Sequence, residues 1–79
     1  MAGSDQELFD RLRAVRLRIA RERGVPPYVI FHDTTLRELA RLKPATVAQL
    51  QTVYGIGARK AEQLGEAFVD EIRSYVAQS

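Results

Sequence analysis

Val25-Pro26-Pro27-Tyr28-Val29-Ile30-Phe31-His32-Asp33 is the stretch on which the fold turns. Four apolar or aromatic residues in a row, Tyr28 to Phe31, read as a strand on composition. Two prolines stand against it, because each fixes φ and removes a backbone donor, and Pro27 forces Pro26 into extended geometry. A lone strand would also leave its peptide groups without partners. No other segment of the chain offers the period-two alternation of a second strand. The stretch is therefore expected to be a short 3₁₀ turn lying over a helical core, and the fold class all-α.

The sequence on either side supports helices. Ser4-Asp5-Gln6-Glu7 has the pattern of a capping box, with Ser4 at the N-cap. Leu8, Leu12, Val15 and Ile19 then recur at helical spacing, flanked by Phe9 and Ala20, up to Gly24, a natural stop. Leu17 falls opposite this stripe and is expected to be exposed. Asp33 is placed to cap a second helix running to about Arg41, with Leu36, Leu39 and Ala40 inward and Lys43-Pro44 closing it. Thr46-Val47-Ala48-Gln49 forms another capping box, opening a helix of barely two turns through Val47, Leu50 and Val53. After Gly55-Ile56-Gly57, a last helix spans Ala58 to about Gln78, with Ala61, Leu64, Gly65, Phe68, Ile72, Tyr75 and Val76 on one face. Gly65 within that face costs about 1 kcal/mol of helix stability, which argues for the close approach of another element. The expected architecture is a compact small helical bundle in which two long amphipathic helices bracket short helices and the 3₁₀ turn. Residues 5–79 form one domain; Met1-Ala2-Gly3-Ser4 has the look of a vector-derived or disordered start.

Composition narrows the function. With 79 residues, no cysteine and one histidine, the chain has no thiol nucleophile, disulfide or Cys/His metal cluster. His32 has no nucleophile or acid in a recognisable triad around it. No catalytic residue, metal ligand or cofactor site is expected, and no run of apolar residues approaches a membrane span. The formal charge of +2 is an average over unequal parts. The first 43 residues hold nine basic and six acidic side chains, whereas the remainder holds three and four. Ten of the twelve basic residues are arginine, whose donor fork suits phosphate.

Two places suggest contact with an anion. Gly55-Ile56-Gly57 turns the backbone directly into a helix start, where free N–H groups favour an anion and where Arg59 and Lys60 oppose the helix dipole. A plain helix–helix turn, with Ile56 plugging the core, accounts for the same residues. Tyr28, on its proline-stiffened turn and near Arg21 and Arg23, is suited to stack on an unpaired base; the alternative is that it covers the core with Phe31. Glu62, Glu66 and Asp70 make an acidic row on the last helix, either solvated or a docking face for a basic partner.

The whole pattern resembles the HRDC (helicase and RNase D C-terminal) domain. The resemblance runs from Leu8 to about Val76 and is carried by Val25-Pro26-Pro27-Tyr28-Val29-Ile30-Phe31, Asp33, Thr35-Leu36, Leu39-Ala40, Pro44, Gly55-Ile56-Gly57, Lys60, Gly65 and Ile72. Its wording is nearer to bacterial RecQ-type helicases than to RNase D-type exonucleases. It implies a small helical module at the C-terminal end of a longer, cytoplasmic, nucleoid-associated, ATP-dependent DNA helicase of repair and recombination. Such a module is monomeric in isolation and performs no hydrolysis. It binds single-stranded or partial-duplex DNA weakly and contacts other domains of its parent. Carried onto this chain, the resemblance places the nucleic-acid surface at Tyr28, Arg16, Arg21 and Arg23, with the Gly55–Gly57 turn as a second contact. Glu62, Glu66 and Asp70 would then repel DNA and face other parts of the helicase. The rival expectation is a protein-interaction module with no DNA contact.

Overall fold

The computed structural model describes residues 5–78, so Ser4 of the first capping box and the vector-like start lie outside the described residues. Five helices follow one another: α1 (Asp5–Arg23), α2 (Pro27–Ile30), α3 (Asp33–Leu42), α4 (Val47–Leu50) and α5 (Ala58–Ala77), with no strand among the described residues. The helix α1 is the hub, touching α2, α3 and α5, while α4 rides on α5.

Acids in the first turn of α1 (Asp5, Glu7) and arginines in its last (Arg21, Arg23) complement the helix dipole. Gly24 ends it at φ +68, where the left-handed region favours glycine. The Val25 N–H reaches the Ala20 carbonyl at 3.0 Å and the Gly24 N–H the Arg21 carbonyl at 3.3 Å, the paired bonds of a Schellman motif. Half-buried Val25 packs against the core beyond it. The expected stripe is buried, and Leu17 is 40% exposed on the far side.

The double-proline stretch folds as a single turn of α-helix rather than a free-standing 3₁₀ turn. Pro27 occupies its first position, where a missing N–H costs nothing. Its opening bond, Val29 N–H to the Pro26 carbonyl at 3.0 Å, has the i to i+3 spacing expected of a 3₁₀ turn. Ile30 and Phe31 enter the core, where the Phe31 ring meets Phe68 edge-on at 5.0 Å, an arrangement worth about 0.5–1.5 kcal/mol beyond its buried area.

Asp33 does not cap α3. His32 holds the N-cap position without a side-chain hydrogen bond, and Asp33 is the first helical residue, its carboxylate turned to Arg16. A 2.7 Å contact to a guanidinium outweighs a cap bond to a backbone amide. Lys43, at φ 49, closes α3 with its N–H on the Leu39 carbonyl. Thr46 caps α4 by accepting from the Gln49 N–H at 3.1 Å, while the Gln49 side chain accepts from Ala45 rather than from Thr46. The helix lasts one turn, not two. From Gln49 onward i to i+3 bonds take over, ending with Ile56 N–H on the Val53 carbonyl.

Gly65 serves the close approach expected of it: a Cβ there would lie 2.5 Å from a Leu50 methyl. Val69 joins the buried face of α5, and Val76 is 48% exposed instead of buried. Tyr75 takes the last core position, with the Arg11 guanidinium 5.2 Å from its ring centre. Val76, one residue further round the helix, is turned outward.

Candidate nucleic-acid interface

Arg16 organises the region around Tyr28. The residue is buried, and its guanidinium donates from Nη1 to the Phe31 carbonyl at 3.0 Å and pairs with Asp33 Oδ1 at 2.7 Å. One side chain of α1 thus fixes both the exit from α2 and the start of α3. The hydrogen bond from Arg16 holds the Asp33 carboxyl below its ordinary value against desolvation, and the charges of Arg16, Arg13 and Arg37 add to it. Arg16, expected among the DNA-contacting residues, is buried and turns its guanidinium to Phe31 and Asp33, as a strut between α1, α2 and α3.

On that strut sits Tyr28, 61% exposed, its ring stacked on His32 with centroids 6.2 Å apart and planes at 22°. Arg16, Pro27, Tyr28, His32, Asp33 and Thr34 line one open cleft. A second groove, sharing Arg16 and Pro27, brings in Arg13 and Leu17. Arg13 and Arg37 lie 5.8 and 4.3 Å from the Phe9 ring centre, distances at which a guanidinium is held over a ring without being neutralised. Arg21 and Arg23 are exposed on the last turn of α1, directly before the chain enters the Val25–Pro27 bend.

The Gly55–Gly57 turn adjoins this region. Gly55 has φ +90, and a Cβ on it would stand 2.7 Å from Thr35 Oγ1. The turn is therefore seated against the first turn of α3, while Ile56 fills the core as expected. Gly57 is the N-cap of α5 and offers no side-chain cap. Lys60 donates from Nζ to the Val29 carbonyl at 3.0 Å and lies 5.8 Å from the Phe31 ring centre, which joins the start of α5 to α2. Arg59 is exposed beside it. The two anion-favouring places of the sequence are thus neighbours.

Three side chains of this surface escaped the sequence reading: Arg13, Arg37 and Tyr54. Arg13 is three residues before Arg16 on the same helical face, and Arg37 is four after Asp33, so helical spacing from that ion pair points to both. Tyr54 is 91% exposed immediately before Gly55.

Glu62, Glu66 and Asp70 line the exposed side of α5 and form no ion pair among the described residues. Glu71, one position on, is instead held by Arg11 at 2.6 Å and fastens α5 to α1. No group of three or more His, Cys, Asp or Glu among the described residues could hold a metal ion. No helix among them is long and apolar enough to cross a membrane.

Comparison with known proteins gives the same pattern a wider setting. The profile of the HRDC domain family matches residues 5–72. The chain is 44% identical over 71 residues to the ATP-dependent DNA helicase RecQ of Bacillus subtilis, covering 90% of the chain and 12% of that protein. It is 44% identical over 72 residues to the ATP-dependent DNA helicase UvrD2 of Mycobacterium tuberculosis, covering 91% and 10%. It is 33% identical over 64 residues to the ATP-dependent helicase wrn-1 of Caenorhabditis elegans, covering 81% and 6%. The relatives reach beyond bacteria, and the chain spans only about an eighth of the length of the RecQ protein.

Proposed function

The chain belongs to the HRDC domain family, and from that premise we propose that it is a non-catalytic accessory domain which helps an ATP-dependent DNA helicase hold single-stranded or partial-duplex DNA. The observation that carries the reading is Tyr28: an aromatic ring 61% exposed on a turn stiffened by two prolines and anchored by Arg16. A buried or mobile tyrosine would not serve, whereas a rigid exposed one stacks on an unpaired base at little entropic cost. Arg13, Arg21, Arg23 and Arg59 are exposed and, on this reading, supply phosphate contacts.

Affinity is low by design. A net +2 and an acidic row on α5 keep the domain from clamping duplex DNA indiscriminately. Joined to a helicase, a weak site suffices, because tethering places it at an effective concentration on the order of millimolar. Glu62, Glu66 and Asp70 face other domains of the parent, of RecQ or UvrD2 type as in the relatives. In a bacterial cell that work lies at the nucleoid, and the domain by itself is a monomer.

Leu17, 40% exposed in the groove with Arg13 and Pro27, favours the second reading, a protein-docking module without DNA contact. Fluorescence polarisation separates the two. With labelled oligo-dT and a partial duplex at low salt, the chain binds, and Tyr28→Ala and Arg21→Ala each weaken binding several-fold. Absent binding, or binding that neither substitution alters, would leave the protein-docking reading.

A further inference from the structure

We infer that Tyr54 is a second base-stacking platform, so that an unpaired strand is held at two rings, Tyr28 and Tyr54. The inference rests on the nucleic-acid reading above and extends it to a residue outside the α2 turn. Tyr54 is 91% exposed, the most exposed large hydrophobic side chain among the described residues. The backbone that carries it is nevertheless held by its neighbours. Val53 and Ile56 on either side are buried, and hydrogen bonds tie Val53 back to Leu50 and Ile56 back to Val53. Gly55, next in the chain, is seated against Thr35. A ring presented to solvent from a backbone this constrained is preorganised for a flat apolar partner.

Two further observations favour a nucleic acid over a protein as that partner. Between Glu38 and Glu62 the chain has no acidic residue, while Arg59, exposed in the first turn of α5, follows Tyr54 by five positions. The turn that carries Tyr54 is also packed against the elements that bound the Tyr28 cleft. Gly55 abuts Thr35, whose neighbour Thr34 lines that cleft, and Lys60 bonds to Val29 next to Tyr28. On this inference a strand leaving Tyr28 continues along the start of α3 to Tyr54.

The test uses the 79-residue chain with fluorescein-labelled oligo-dT of about twenty nucleotides, and the same oligonucleotide carrying 5-iododeoxyuridine for photo-crosslinking. Tyr54→Ala is expected to weaken binding at least about fivefold, with Tyr54→Phe close to wild type, since stacking needs the ring and not the hydroxyl. Thermal unfolding of both variants stays at the wild-type midpoint, and crosslinks map to Tyr28 and Tyr54. If Tyr54→Ala binds as wild type and no crosslink forms at Tyr54, the inference is overturned. Should Tyr28→Ala still weaken binding in that case, the accessory DNA-binding reading stands without the second platform. If the wild-type chain binds no oligonucleotide, both fall together.

Discussion

Arg16 shows how one buried charge serves a surface it barely reaches. Its guanidinium spends its donors on the Phe31 carbonyl and on Asp33, and Nε finds no hydrogen-bond partner among the described residues. Arg16→Ala removes a charged hydrogen bond to a buried carbonyl and is expected to destabilise the fold by about 1.5–3 kcal/mol in urea unfolding. The same substitution loosens the Tyr28 turn, so DNA affinity falls with it. Asp33 supplies the pH dependence. Its carboxyl is held below the ordinary value in the folded chain, so its contribution is present above the unfolded pKa of about 3.9 and is lost as pH falls through the lower folded value. A plot of melting temperature against pH should therefore drop below about pH 4, and Asp33→Asn should flatten that part of the curve. An acid limb unchanged by Asp33→Asn would show that the pair with Arg16 does not set it. Sequence alone offered Asp33 as a cap because Asp at such a position usually is one. The competing guanidinium comes from seventeen residues earlier in the chain, and no local pattern reveals it.

At the scale of the element, the long helices were legible and the short ones only in part. The spacing of Leu8, Leu12, Val15 and Ile19, and of Ala61, Leu64, Phe68 and Ile72, repeats often enough to specify a face. A helix of four residues, such as α2 or α4, has no such repeat and takes its form from proline, from Thr46 and from what lies beneath. Val76 illustrates the limit: its spacing fits the buried face, but Tyr75 occupies the last core position. Glycines gave firmer signals. Gly55 combines φ +90 with 2.7 Å to Thr35, so Gly55→Ala is expected to cost about 1–3 kcal/mol. Gly65→Ala crowds a Leu50 methyl at the end of its side chain, touches the Val47 methyls at an ordinary 3.8 Å and regains about 1 kcal/mol of helix propensity, so its cost is smaller. Denaturant midpoints of the two variants give the order directly, and a reversed order would contradict the seating of the turn on α3.

The whole molecule divides its charge. Arg13, Arg18, Arg21 and Arg23 of α1 and Arg59 of α5 are exposed, Arg13 in the groove that shares Arg16 and Pro27 with the Tyr28 cleft, while Glu62, Glu66 and Asp70 occupy the outer side of α5. The division was visible in the order of charges along the chain. That α2 and the start of α5 adjoin was not, since it depends on the Lys60–Val29 bond across 31 positions. Reversing Glu66 and Asp70 to lysine should tighten DNA binding by the isolated domain modestly and disturb unwinding by the full helicase. Unwinding at the wild-type rate would count against α5 as a docking face. Above all, the domain should bind an unpaired strand through a few phosphate contacts and ring stacking. The salt dependence of oligo-dT binding, compared between the wild-type chain and Tyr28→Ala, separates those two contributions. The expected slope of log K against log salt is about −1.5 to −3, the signature of two to four phosphates at about 0.7 each. Tyr28→Ala should lower the line without changing its slope, because stacking releases no counterions. No binding at low salt, or a Tyr28→Ala line superimposed on the wild type, would contradict this mode of binding.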